Sequence, residues 1–179
     1  MAIKTFVTGE VLTAADTNTY LANSGLVYVT SATVGTAVSS VTVSSAFSST
    51  YDNYKIIYTG GTAGSGLISM TLGASVTTYS NTLMYGLTFA SPTYASGGAS
   101  NSSAWTLMGY ADANSCLLSI DLYGPNLAKY TQFNRPYVST SNAGINSGVH
   151  ATATAYTSFT LSAATLTGGT ITVYGYRKA

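Results

Sequence analysis

The clearest signal of secondary structure in the chain is the hexapeptide Tyr54-Lys55-Ile56-Ile57-Tyr58-Thr59. Successive side chains of an extended strand point to opposite faces, so Tyr54, Ile56 and Tyr58 share one face and the other three share the second. Aromatic and β-branched residues also favour strands. The hexapeptide therefore predicts a β-strand that packs on a core through one face.

Similar short segments lie on both sides of this one. Apolar or aromatic runs occur at 26–30, 67–72, 83–89, 104–110, 116–123, 158–161 and 170–176, and Gly-rich turns separate several of them. The Gly-rich stretch 60–66 predicts a hairpin loop. Trp105 and Cys116 fall inside such runs, and we expect both side chains to be buried, with an inert thiol at Cys116. Many short strands with little helical periodicity predict an all-β fold, an antiparallel β-sandwich or jelly roll, over residues 26–179.

Residues 1–25 differ from this body. Thr13-Ala14-Ala15-Asp16 predicts the start of a short helix, because Thr13 can cap the exposed amides and Asp16 follows three residues later. The helical pattern continues to Asn23, and Gly25 is a natural end. So short a helix is marginal alone, and we expect it to dock on the body or on another protein.

The segments 90–103 and 139–148 have the least pattern. Both consist largely of Ser, Ala, Gly, Asn and Thr, and we expect exposed connections there, where binding residues often lie. Tyrosine supplies broad contact area with a polar tip. Tyr79, Tyr94 and Tyr137 adjoin irregular segments and are candidate exposed contacts that could stack on the sugars of a cell-surface glycan.

The chain is poor in the groups from which catalytic sites are built. Charged residues make up 6% of it, against about 25% in an ordinary soluble domain. No catalytic, cofactor-binding or metal-binding motif is present, and we expect no enzyme activity and no cofactor. Asp112 and Asp121 on neighbouring segments leave open a polysaccharide-cleaving alternative. The one histidine, His150, is expected at the surface or partly buried.

The low charge also bears on partners. With a net charge of +1 and a mean hydropathy of +0.25, the lone chain has little protection against self-association, so we expect a symmetric homo-oligomer. The basic residues are scattered except for Arg177 and Lys178, which disfavours nucleic-acid binding. No run approaches the roughly 20 apolar residues of a membrane span. The first residues also lack the apolar core of a secretory signal, so we expect synthesis in a cytoplasm and no membrane insertion.

Two phrases at the ends of the chain resemble a known class. Residues 9–21, GEVLTAADTNTYL, are similar to the phrase GEVLTAxDxNxYL, which opens small virion structural proteins of tailed bacteriophages. Residues 166–178, LTGGTITVYGYRK, look like the ending LTGGTIxVYGYRK of phage tail-fibre and related proteins. The resemblance covers the two ends of the chain, and the residues between them are similar only in their general composition.

The resemblance implies a trimeric, β-rich particle component at the virion surface, without catalytic residues, fastened to other virion proteins of tail or capsid through residues 1–25. We expect a small fibre or spike with a host-binding surface. The alternative is a capsid decoration or cement protein that stabilises the head. A secreted lectin is a further alternative. The apolar contacts expected for particle attachment are Phe6, Val11, Leu12, Tyr20 and Leu21.

Overall fold

The chain folds into antiparallel β-structure that closes on itself. We describe a computed structural model, in which residues 7–16, 25–64, 66–86, 93–114 and 116–178 are the described ones. Over these residues the elements are α1 (Ala14–Asp16), β1 (Leu26–Thr33), β2 (Val38–Val43), β3 (Asn53–Ala63), β4 (Gly66–Leu72), β5 (Tyr79–Gly86), β6 (Tyr94–Ser102), β7 (Trp105–Ala111), β8 (Cys116–Tyr123), β9 (Thr131–Val138), β10 (Ala143–His150), β11 (Phe159–Thr167) and β12 (Thr170–Tyr176).

A closed circuit of strands lies at the centre of the fold. Strand β3 pairs with β11, β11 with β4, β4 with β7, β7 with β8, and β8 again with β3, each time antiparallel. From β3 the sheet continues through β12 to β1, and β2 flanks β11. From β8 it continues through β9, β10 and β5 to the edge strand β6. The prediction of an all-β antiparallel body is confirmed, whereas its finer assignment to a jelly roll is not.

The core is formed by the inward faces of the circuit. Tyr54, Ile56 and Tyr58 are fully buried, as the hexapeptide predicts. Ile56 stands between Ile120 of β8 and Val173 of β12 in the pairing register, so apolar residues continue across three strands. The buried tyrosines keep hydrogen bonds, since the Tyr58 hydroxyl donates to the Gly168 carbonyl at 2.9 Å. The ring of such a tyrosine is removed from water while its hydroxyl group keeps a hydrogen-bond partner.

Two segments predicted as connections are strands instead. Most of 90–103 forms β6, and most of 139–148 forms β10, both paired with β5. Their small residues serve close backbone packing. A Cβ at Gly98 would stand 2.3 Å from the Asn81 carbonyl oxygen, and one at Gly144 would stand 2.0 Å from that of Met84. Composition alone indicated a loop, but pairing with β5 decides the structure.

The predicted hairpin at 60–66 is also wrong. Strand β3 runs on to Ala63 and β4 begins at Gly66, yet these two strands do not pair with each other over their described residues. Each pairs with a different part of β11. The Gly60–Gly61 step instead interrupts the β3–β8 register, and Gly60 has a φ of 74°, which glycine tolerates. The glycines therefore turn β3 from one neighbour toward another.

Before the body, α1 covers Ala14–Asp16, the last residues described before residue 25. Thr13 caps it as predicted, because its hydroxyl accepts from the Asp16 amide at 3.1 Å. The Asp16 carboxylate in turn accepts from the Thr13 amide at 3.2 Å, which completes a reciprocal capping pair. The predicted continuation over 17–23 lies outside the described residues. Strand β1 begins at Leu26.

Candidate functional site

The described part of the attachment segment holds apolar side chains in solvent. Val11 is 78% exposed, and Val7 and Leu12 are exposed as well. The segment is organised by its own local bonds, such as that from the Glu10 amide to the Val7 carbonyl at 3.0 Å. Phe6, Tyr20 and Leu21, the remaining predicted attachment residues, lie outside the described residues. This stretch therefore offers apolar groups that the body does not cover.

The three tyrosines predicted as exposed contacts separate into two groups. Tyr94 is 87% exposed at the start of β6. Tyr79 and Tyr137 are buried, and the prediction for both is wrong. The Tyr79 hydroxyl accepts from the Leu72 amide at 2.8 Å and donates to the Ser75 carbonyl at 3.2 Å. Both tyrosines occupy inward positions of regular strands, so sequence proximity to an irregular segment misplaced them.

His150 is also interior, which corrects the prediction of a surface or partly buried residue. Its ring stacks on Tyr79 with centroids 4.1 Å apart and meets Trp105 edge-on at 6.2 Å. Its Nε2 lies 2.7 Å from the Tyr156 hydroxyl and its Nδ1 lies 3.2 Å from Thr78 Oγ1. Burial lowers the pKa of His150, so the ring is neutral at pH 7. The surroundings are those of a core residue with both nitrogens satisfied.

Trp105 and Cys116 are buried, as predicted. The Trp105 indole donates to the Val149 carbonyl at 3.1 Å. Burial is the main cause that raises the pKa of the Cys116 thiol to about 11. Burial is also the main cause that raises the pKa of the neighbouring Tyr58 hydroxyl to about 12. At neutral pH Cys116 is therefore an un-ionised thiol, which is a poor nucleophile.

Asp112 and Asp121, the acids of the polysaccharide-cleaving alternative, make different contacts. Asp121 pairs with Lys55 at 2.9 Å and also accepts a very short hydrogen bond from the Tyr176 hydroxyl, whose pKa is raised to about 12, mainly by burial. Asp112 accepts from the Asn114 amide at 2.8 Å, as in a turn. Within the described ranges no three His, Cys, Asp or Glu side chains are grouped closely enough to hold a metal ion. No helix of the described residues has the length and apolarity that a membrane crossing requires.

Buried polar side chains of β5, β9 and β10 form hydrogen bonds to the backbone of β7. The sequence did not reveal this network. Asn146 donates to the Leu107 carbonyl at 2.8 Å, and Asn81 Oδ1 accepts from the Thr106 amide at 3.3 Å. Leu107 has a φ of 59°, an unusual value for a branched side chain. Arg135 Nη1 donates to the same Leu107 carbonyl at 3.1 Å. These side chains replace the bonds that the irregular β7 backbone cannot make to a neighbouring strand.

Arg135 is the unusual member of this network. It is 2% exposed, because β9 alternates strictly and places Arg135 on the same inward face as Phe133 and Tyr137. Its guanidinium carbon lies 5.4 Å from the centroid of the Tyr137 ring. Burial lowers its pKa to about 10, which leaves it charged at neutral pH. The period-two pattern of 131–138 is the signal that could have revealed an inward-facing arginine.

A pocket of about 250 Å³ lies beside Arg135, where β8 and β9 separate. In the described part of the chain, the two strands pair only where Asp121–Tyr123 of β8 lies beside Gln132–Asn134 of β9. Two residues after Asn134, Pro136 has no backbone N–H that could donate a further hydrogen bond between the strands. The Pro136 carbonyl accepts instead from Arg135 Nε at 2.9 Å. Besides Arg135, the pocket is lined by residues with hydroxyl and apolar side chains, among them Ser119, Ser139, Thr140, Leu117 and Val138.

A second, wider depression of about 530 Å³ lies on the outer face of β10, β5 and β6. Met84 and Ile145, paired across β5 and β10, are 69% and 60% exposed. Tyr94 and Ala95 border it on β6, and none of its described lining residues is charged. This apolar face, formed by Met84, Ile145, Tyr94 and Ala95, is continuous with the edge strand β6.

Comparison with known proteins gives no assignment: no protein-family model, no curated protein and no solved structure matches the chain significantly.

Proposed function

We propose that the chain is a structural component of a tailed-bacteriophage virion: a small homotrimeric fibre or spike that is fastened to the particle through residues 1–25 and presents a host-binding surface. The observation that carries this proposal is the exposed apolar attachment segment, with Val7, Val11 and Leu12 uncovered by the body. Apolar side chains on a short capped peptide are suited to insertion into a partner. The resemblance of 9–21 and 166–178 to phage virion proteins supports the same reading.

Self-association is supported by the apolar face. It combines Met84 and Ile145 with an edge strand, β6, that has a free hydrogen-bonding side in the described sheet. Edge strands of soluble monomers are normally protected by charges, prolines or bulges. The residues of β6 include no charge and no proline. The occupant that fits this uncharged surface is another copy of the same chain.

The attachment role is tested by deleting residues 1–23 from the protein as it is made during infection. We expect a folded oligomeric body that no longer joins the particle, measured by circular dichroism, light scattering and the protein content of purified virions. The double variant Val11→Asp and Leu12→Asp should give the same loss without shortening the chain. Incorporation of both variants at the normal level would contradict the proposal.

The oligomer is tested separately by native mass spectrometry. We expect three copies in the wild-type species and smaller species for Ile145→Glu, because the new charge would be buried at the interface. Val76→Glu is the matched control, since Val76 is equally exposed but lies outside the apolar face. A monomeric wild-type protein, or equal disruption by both variants, would contradict the assignment of this face.

A further inference from the structure

We propose that the pocket between β8 and β9 binds a carboxylate-bearing sugar unit, with the guanidinium of Arg135 receiving the carboxylate. This inference gives the host-binding surface of the proposed function a location and a ligand class. It is carried by the geometry of the pocket, and binding by the purified protein tests it without any particle.

Arg135 carries an uncompensated positive charge. Arg135 is 2% exposed, yet no ion pair of the described residues includes it. Asp121 is engaged with Lys55, and Asp52 with Lys178. A buried charge without a counter-ion is costly, and proteins normally pair it. The cost is reduced when an anionic ligand completes the pair.

One nitrogen of the Arg135 guanidinium is left without a partner within the described part of the chain. Nε and Nη1 are used by the carbonyls of Pro136 and Leu107. Nη2 has no hydrogen-bond partner among the described residues. It is not fully buried either, because Thr131 Oγ1 is the one side-chain nitrogen or oxygen of those residues that is fully buried without a partner. Nη2 therefore keeps some exposure, and the proposed site assigns that exposure to the pocket that Arg135 lines. Two fixed bonds hold the guanidinium in place, so little side-chain entropy is lost when Nη2 binds an anion.

The lining of the pocket indicates the class of ligand. Arg135 is the single cation lining the pocket, and one positive charge matches a carboxylate better than a doubly charged phosphate. Ser119, Ser139 and Thr140 bring hydroxyl groups, while Leu117 and Val138 provide apolar surface. Polar groups beside apolar walls suit the hydroxyl-bearing and C–H faces of a pyranose ring. The volume of about 250 Å³ lies below that of pockets for drug-sized molecules, which favours a single sugar unit.

The experiment titrates the purified full chain with methyl β-D-glucuronide and, as the neutral match, methyl β-D-glucoside, observed by saturation-transfer NMR. We expect the glucuronide to bind about 10- to 100-fold more tightly, the range expected for one charge-assisted hydrogen bond. Equal affinity of the two sugars would overturn the proposal. Sodium acetate or inorganic phosphate binding as tightly as the glucuronide would also overturn it, in favour of a general anion site.

Two variants from one loop locate the site. Thr140→Tyr fills the pocket, and we expect it to weaken glucuronide binding at least about tenfold, because a bulky ring takes the volume of the sugar. Ser141→Tyr is the matched control, since Ser141 is exposed and does not line the pocket, and it should change binding less than about twofold. Arg135→Gln should abolish the preference for the glucuronide. Unchanged binding in Thr140→Tyr overturns the placement even if Arg135→Gln fails to fold.

The two proposals fail separately. A chain that binds glucuronide but is absent from virions refutes the virion role alone. A chain that joins virions but does not discriminate between the two sugars refutes the carboxylate pocket alone.

Discussion

Replacing Tyr79 by Phe removes one oxygen atom from the interior and tests directly whether this tyrosine is a core residue. The hydroxyl accepts from the Leu72 amide at 2.8 Å and donates to the Ser75 carbonyl at 3.2 Å. Tyr79 and Leu72 are both fully buried, so water cannot replace the lost acceptor. The variant therefore leaves a buried backbone N–H without its partner.

The expected cost follows from that orphaned donor. A buried donor left unsatisfied costs about 1–3 kcal/mol, and the ring itself, stacked on His150 and edge-on to Trp105, is unchanged. We expect the free energy of unfolding to fall by about 2 kcal/mol. For a chain of this size each kcal/mol lowers Tm by about 2–4 °C, which corresponds to a decrease of about 4–8 °C.

The assay is urea unfolding followed by the fluorescence of Trp105, the one tryptophan of the chain, whose ring centroid lies 5.1 Å from that of Tyr79. Protein concentration is held fixed, because an oligomer's stability depends on it. Tyr94→Phe is the matched control and should leave the midpoint unchanged, since Tyr94 is exposed. If both variants unfold like the wild type, the reasoning from the buried hydroxyl is wrong.

Three further predictions concern His150, Gly144 and Cys116. Burial lowers the pKa of His150, so the unfolded chain binds the proton first as pH falls below about 6.5. The free energy of unfolding should therefore decrease below that pH by up to about 1.4 kcal/mol per pH unit, measured by urea unfolding at a series of pH values. A His150→Gln variant that keeps the same slope would contradict this. In the same assay, Gly144→Ala should lower the free energy of unfolding by about 3 kcal/mol, because the new Cβ would collide with the Met84 carbonyl oxygen. Gly66→Ala is the control and should leave the free energy of unfolding unchanged, since the nearest atom to its new Cβ would be 3.8 Å away. Cys116 should resist a thiol reagent at pH 8 until urea unfolds the chain; rapid native labelling would refute its burial.

Part of the fold could be predicted because it depends on local pattern. The alternation of Tyr54, Ile56 and Tyr58 places three side chains in the core whatever the neighbouring strands are. The capping of α1 by Thr13 is equally local, since donor and acceptor lie three residues apart. Burial of Trp105 and Cys116 also followed from the apolar runs that contain them.

The errors share one physical cause. Strands β6 and β10 are poor in apolar side chains, so no periodic signal marks them, and their stability comes from pairing with β5. The predictions for Tyr79 and His150 are wrong for a related reason: the two rings are buried against each other and against Trp105, and these three residues lie far apart in the chain. Local sequence contains no information about which remote ring will pack against a given side chain.

The sequence by itself determined that the chain is all-β, low in charge and apolar along one face of its strands, because these properties follow from residue type and period. Only the tertiary structure decided that β3, β11, β4, β7 and β8 close on one another and that β8 leaves β9 near Pro136. That separation places Arg135 beside a pocket instead of beneath a continuous sheet. Such a result depends on register between strands far apart in the chain, which alternation along a single strand cannot specify.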